Sequence, residues 1–190
     1  NTHPRVNVHR PGCGVGGPCL PKDPYLLLHG VKTMGFRSKV IGPSRELNDS
    51  MPEHTVELVV KALKKAGKNV EKSKIAVLGT AYKEEVNDAN NSPAEGIVKK
   101  LMSLGAKVFV YDPYCEESFG AKRASSIPEA AKGADCLLIT VKHKAFRKLE
   151  LGKIKALMGK IPIIIDGGRT IDPAEAKKEG FRYYGAGYPS

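Results

Sequence analysis

Apolar residues change their spacing near Lys74. From there onward they come in short unbroken runs: "KIAVLG", "KVFVYD", "DCLLIT", "IPIIID" and "FRYYG". Between these runs lie stretches with helical spacing and helical punctuation. They run from about Pro93 to Leu104 (stopped at Gly105), from Pro128 to Lys132, from Leu151 to Met158 and from Pro173 to Glu179. Continuous apolar strands alternating with helices predict a parallel sheet covered on both faces, an α/β doubly wound, Rossmann-like fold. Right-handed crossovers would bring the loop after each strand to one edge of that sheet. That edge would carry Thr80 to Asn91, Asp112-Pro113, Thr140 to His143 and Asp166 to Thr170, and a ligand is expected there.

Upstream of Lys74 the spacing is helical. "DPYLLLHGVKTMGF" reads as a helix closed by Gly35, with Asp23 as N-cap and Pro24 in the first turn. A longer helix is predicted from Ser44 to Ala66, with Val56, Val59, Val60 and Leu63 on one face and Gly67 after its end. Ser44 is its expected N-cap, and Pro52 inside it predicts a kink or a boundary. The chain therefore divides into residues 1–70, a loop with two helices, and residues 71–190, the sheet domain.

Composition narrows the classes of function. No apolar run approaches the ~18 residues that span a bilayer, and no signal-peptide pattern is present. The formal net charge is +11, which invites an anionic partner. The lysines are spread over helices as in "VVKALKKAGKNVEKSK", without interleaved aromatics or a recognition motif. This argues against nucleic acid and leaves a solvated basic surface or a phosphate-bearing small substrate. Cysteines at 13, 19, 115 and 136 form no C-x-x-C pair, so no metal site is expected. Cys136 sits in an apolar run and reads as core, while Cys13 and Cys19 are close enough in sequence to pair under oxidation. The reducing cytosol is the default compartment.

The segment "RPGCGVGGPCLPKDP" poses the chemical question. Gly12, Gly14 and Gly17 satisfy G-x-G-x-x-G, but Pro18 and Pro21 follow at once. A dinucleotide fingerprint needs a helix to open inside it, and proline forbids that here. A tight loop presenting Cys19 is the better reading. Cysteine acts as a nucleophile through its thiolate, which dipoles and nearby cations favour. Arg10 and Lys22 are the nearest cations, Gly16 and Gly17 let a substrate approach the backbone, and Asp23 is placed to steer a proton or a water. A buried loop cysteine beside a capping aspartate is the structural alternative.

"HPRVNVHRPGCGVGGPCLPKDPYLL" resembles the active-site segment of the UDP-glucose/GDP-mannose dehydrogenase family. "KIAVLGTAYKEEVNDANNSPA", "KVFVYDP" and "IIIDGGRTID" resemble that family's later elements, in its order. H-P-R-V-N, G-V-G-G-x-C and D-P are nearest to the branch that oxidises UDP-N-acetylmannosamine. Lys22-Asp23 is instead a feature of the UDP-glucose branch. The resemblance implies a homodimeric, cytoplasmic, NAD-dependent oxidation of a sugar C6 alcohol to a carboxylate, with Cys19 as nucleophile and Asp23 assisting proton transfer. It implies substrate contacts from Arg5 (reaching a neighbouring subunit), Arg10, Gly16, Tyr82, Lys83 and Arg169, and dimerisation through the 44–66 helix. His143 reads as structural. The family's arginine in D-x-R-x-S-P is Asn90 here, and the family's N-terminal NAD-binding domain has no counterpart, so a C-terminal portion that does not turn over alone is expected.

Overall fold

The computed structural model describes residues 9–188. Two helices come first, α1 (Asp23–Thr33) and α2 (Ile41–Lys65), then a doubly wound sheet. Its elements are β1 (Lys74–Leu78), α3 (Pro93–Ser103), β2 (Lys107–Tyr111), β3 (Lys122–Arg123), α4 (Ile127–Ala131), β4 (Cys136–Ile139), α5 (Leu151–Leu157), β5 (Ile163–Asp166), α6 (Pro173–Lys178) and β6 (Arg182–Gly185). All pairings are parallel, in the order β3-β2-β1-β4-β5-β6. The chain reverses direction across the sheet between β1 and β4, which makes the crevice there the expected ligand site.

Alternation along the strands sorts the core into two layers. Ile75, Val77, Val108, Val110, Leu138, Ile163 and Ile165 pack with α2 and α3 on one face. Ala76, Leu78, Leu137, Ile139, Ile164 and Tyr183 pack with the α4–α6 side and Phe146 on the other. Because Val56, Val59, Ala62 and Leu63 of α2 join the first layer, the division expected at residue 70 is bridged by a shared core.

Three local expectations need correction. α2 begins at Ile41 rather than at Ser44, so Ser44 is not its N-cap, and Ser38 Oγ just upstream accepts from Ile41 N at 3.1 Å. The helix also continues through Pro52. Proline there deprives the Asn48 carbonyl of its helical donor, and that carbonyl faces Gly14, where a Cβ would approach it to 3.2 Å. Asp23 opens α1 as its first helical residue and makes no side-chain cap. The sequence also gave no sign of β3, a two-residue edge strand of exposed Lys122 and Arg123.

Candidate functional site

The glycine loop crosses the carboxyl edge of the sheet and is pinned from both sides. On the α2 side, Asn48 Oδ1 accepts from Val15 N at 2.8 Å, and Asn48 Nδ2 donates to Val15 O. On the sheet side, Gly17 N donates to Asn90 O at 2.9 Å, and Asn91 Nδ2 donates to Gly17 O at 3.1 Å. A Cβ at Gly16 would collide with the Asn91 carbonyl, and one at Gly17 would lie 2.8 Å from the Tyr82 ring. The double glycine is needed because the two loops touch backbone to backbone.

This clamp divides the cysteines. Cys13 points inward, is 3% exposed and packs where Gly167 leaves room for its sulfur. Burial pushes its thiol up to about 11. Cys115 and Cys136 are buried too, and only Cys19 is exposed. The Cys19 carbonyl accepts from Lys22 N and Asp23 N, a turn that leads directly into α1. All four thiols are free, so Cys13 and Cys19 are not paired.

Cys19 opens onto a cleft of about 520 Å³ between the glycine loop and the loops after β1 and β4. Of the site residues expected from sequence, Arg10, Gly16, Tyr82 and Lys83 line it together with Cys19. Asp23 sits just outside, exposed, with its carboxylate 3.9 Å from Lys22 Nζ. Arg169 is also outside the lining, in a left-handed conformation with φ 52°, and donates to Gly187 O at 3.1 Å. Arg5 lies outside the described residues.

Two buried carboxylates at strand ends hold the edge in shape. Asp112, after β2, accepts from Thr80 N, Ala81 N and His143 Nε2 on one oxygen and from Tyr114 N and Cys115 N on the other. Burial alone would raise its pKa. The bonds from His143 and the amides outweigh it and hold the group well below the usual carboxylate range. His143 Nδ1 accepts from Glu85 N at 2.9 Å, so the ring proton sits on Nε2 and the histidine is structural, as its sequence context indicated. Glu85, at φ 61°, accepts from Lys144 N and Tyr114 OH, and these bonds depress its pKa, the Lys144 amide first. The loop carrying Tyr82 and Lys83 is thereby bolted to the loops after β2 and β4. Asp166, after β5, does the same for its own loop, accepting from Gly168 N, Thr170 N, Ile171 N and Tyr183 OH.

Sequence reasoning missed Asn48, Glu85 and Lys142, the last of which lines the cleft. Strand-end aspartates after "KVFVY" and "IPIII" were visible signals for the two buried carboxylates, whereas nothing local distinguishes Asn48 from a surface helix residue. The loop also offers no dinucleotide cradle. Its Val15 and Gly17 amides are spent on Asn48 and Asn90, and no helix starts until Asp23. No group of metal-binding side chains occurs among the described residues, and no helix there is long and apolar enough to cross a membrane.

Comparison with known proteins gives this geometry a context. Residues 76–173 match the UDP binding domain, and residues 1–50 the central domain, of the UDP-glucose/GDP-mannose dehydrogenase family. A UDP-N-acetyl-D-mannosamine dehydrogenase of Methanocaldococcus jannaschii is 37% identical over 97% of this chain and 41% of its own length. The structure of a UDP-D-ManNAc dehydrogenase from Pyrococcus horikoshii superposes with a TM-score of 0.84 at 38% identity, over 98% of this chain and 42% of that one. An NDP-N-acetyl-D-galactosaminuronic acid dehydrogenase from Methanosarcina mazei gives 0.87 at 36%, over 95% and 40%. The chain thus spans about two fifths of the length of the relatives it matches.

Proposed function

The chain belongs to the UDP-glucose/GDP-mannose dehydrogenase family, and on that premise we propose that it is the nucleophile-bearing and UDP-sugar-binding portion of a UDP-N-acetylmannosamine 6-dehydrogenase. The supporting observation is the separation of thiols: one exposed cysteine at the mouth of a cleft on the carboxyl edge, three buried. The N-acetylhexosamine substrates in the relatives' names support the choice of sugar. Lys22-Asp23 favours UDP-glucose as the second reading.

In this reading the cleft holds the nucleotide sugar, with Tyr82 and Lys83 on one wall and Arg10 on the other. The Cys19 thiolate adds to the C6 aldehyde to give a thiohemiacetal, whose oxidation leaves a thioester. Water then cleaves the thioester, releasing the carboxylate and returning the thiol. Asp23, a turn away and solvated, steers the water and takes up its proton. The glycine loop does not fit a dinucleotide, and NAD, which would accept the two hydrides, would be held mainly by a domain other than those described. The apolar face of the 44–66 helix expected for dimerisation is instead buried against the sheet, so assembly into a homodimer would use other parts of the helical layer, where Leu26 (61% exposed), Leu27, Met34, Phe36 and Leu47 are exposed. A cytoplasmic location accords with the four free thiols.

The test is to assay the full-length protein with NAD and each nucleotide sugar. Faster oxidation of UDP-N-acetylmannosamine than of UDP-glucose is expected, and the reverse order would select the second reading. Cys19→Ser should abolish uronate formation while Cys13→Ser retains most of it. Equal loss from both would remove Cys19 from the nucleophile's role.

A further inference from the structure

The cleft carries more positive charge than the residues singled out from sequence. Arg10, Lys83 and Lys142 line it against a single carboxylate, Glu84, which is paired with Arg147. None of the three lining cations forms an ion pair among the described residues. The stem of Lys142 lies beside Gly168. A Cβ on that glycine would stand 3.7 Å from Lys142 Cβ and 3.8 Å from Cδ, so the aliphatic stem runs across a floor that has no side chain. Burial and then the positive charges of Arg10 and Arg147 depress the Lys142 ammonium, against weaker support from Asp166 and Glu84. Cations held toward one another around a cavity repel, and the arrangement becomes favourable when an anion enters.

Several backbone amides of the surrounding loops are already engaged. Thr80 N and Ala81 N are spent on Asp112, and Gly168 N, Thr170 N and Ile171 N on Asp166. With those five amides engaged, the lining cations are the charged groups left facing the cleft. Arg169, tied to Gly187 O outside the lining, is not among them.

We propose that Lys142, acting with Arg10, is the diphosphate-binding cation of the cleft, a place that Arg169, one of the substrate contacts the resemblance implies, does not take. The inference rests on the reading of the cleft as a nucleoside-diphosphate-sugar site. Lys142 follows β4 at the β1–β4 crevice, where ligands of open α/β sheets lie, and a lysine serves a diphosphate as a mobile point charge.

The experiment titrates the full-length protein calorimetrically with UDP, UMP and uridine, alongside thermal melting without ligand. Lys142→Met should weaken UDP binding tenfold or more and leave uridine binding unchanged. Lys142→Arg should restore most of the loss, and Arg169→Met should change UDP binding less than threefold. Relief of like-charge repulsion should leave the unliganded melting temperature of Lys142→Met equal to wild type or higher. If Lys142→Met keeps the wild-type preference for UDP over UMP, the inference is wrong. If it melts several degrees lower and loses uridine as well, Lys142 is merely structural and the inference is equally wrong. Failure of the unaltered protein to bind UDP would instead bring down the nucleotide-sugar reading itself, before any substitution is made.

Discussion

The carboxyl edge of the sheet and the α1 layer are built on opposite terms. At the edge, polar groups are buried and every loop is bonded to its neighbours: Asp112 and Asp166 alone accept nine hydrogen bonds. In α1 no residue is buried, and Tyr25, Leu26 and Leu27 stand in solvent. One region is complete within the described residues, and the other presents an apolar surface without a partner among them. Rigidity therefore belongs to the binding edge, while the helical layer keeps contacts in reserve. Substitutions in the two regions should differ in kind as well as in size.

The largest effect should come from Asp112→Ala. It strands three buried amides, the half-buried Tyr114 amide and the His143 ring proton, and should cost about 4 kcal/mol or more in urea unfolding. The pH dependence has the matching sign. A carboxylate whose folded pKa is depressed stabilises the fold above its unfolded value of about 3.9, and that contribution fades as the solution is acidified below it. Wild type should show this acid limb and Asp112→Ala should lack most of it. A variant as stable as wild type would show that the edge is not held by its carboxylates.

Thiol labelling gives a smaller contrast, on the order of a hundredfold or more in rate. At pH 8 Cys19 should react with iodoacetamide in the native protein, whereas Cys13, Cys115 and Cys136 wait for unfolding. With its pKa near 11, Cys13 holds a thiolate fraction of only about one in a thousand at that pH, before burial is counted. Mass spectrometry of partly labelled protein would show it, and early modification of Cys13 would contradict the clamp described here.

Gly16→Ala should cost about 2 kcal/mol, because the collision is with the Asn91 carbonyl, a backbone atom that cannot turn aside. A neutral result in thermal melting would mean that the loops are not in contact. At the small end, Leu26→Ser should change the stability of the isolated subunit by less than about 0.5 kcal/mol. Sedimentation should nonetheless shift toward the monomer if the α1 surface serves assembly. A large loss of stability in the monomer would show that the surface is already covered.

The strands were readable because a strand buried on both faces must be apolar throughout, as "IPIIID" and "DCLLIT" are. β3 was not readable, since an exposed two-residue edge needs only backbone pairing, which any sequence supplies. Of the kink or boundary expected at Pro52, the boundary is absent, since α2 runs through it from Ile41 to Lys65. For the site, Cys19, Arg10, Gly16, Tyr82 and Lys83 could be assembled from motif order. Lys142 could not, because nothing in its local sequence shows that it lines the same cleft as Arg10, which is remote in the chain.

The two-sided clamp on the glycine loop bears on the order of folding. Residues 10–20 have no secondary structure of their own and are held by Asn48, 33 positions away from Val15, and by Asn90 and Asn91, the latter 74 positions from Gly17. Closing spans of that length costs entropy that only an already formed framework can offset. The segment must therefore order late, after β1 and α3 have fixed the loop between them. Cys19 reaches its final surroundings only when the cleft it opens onto exists.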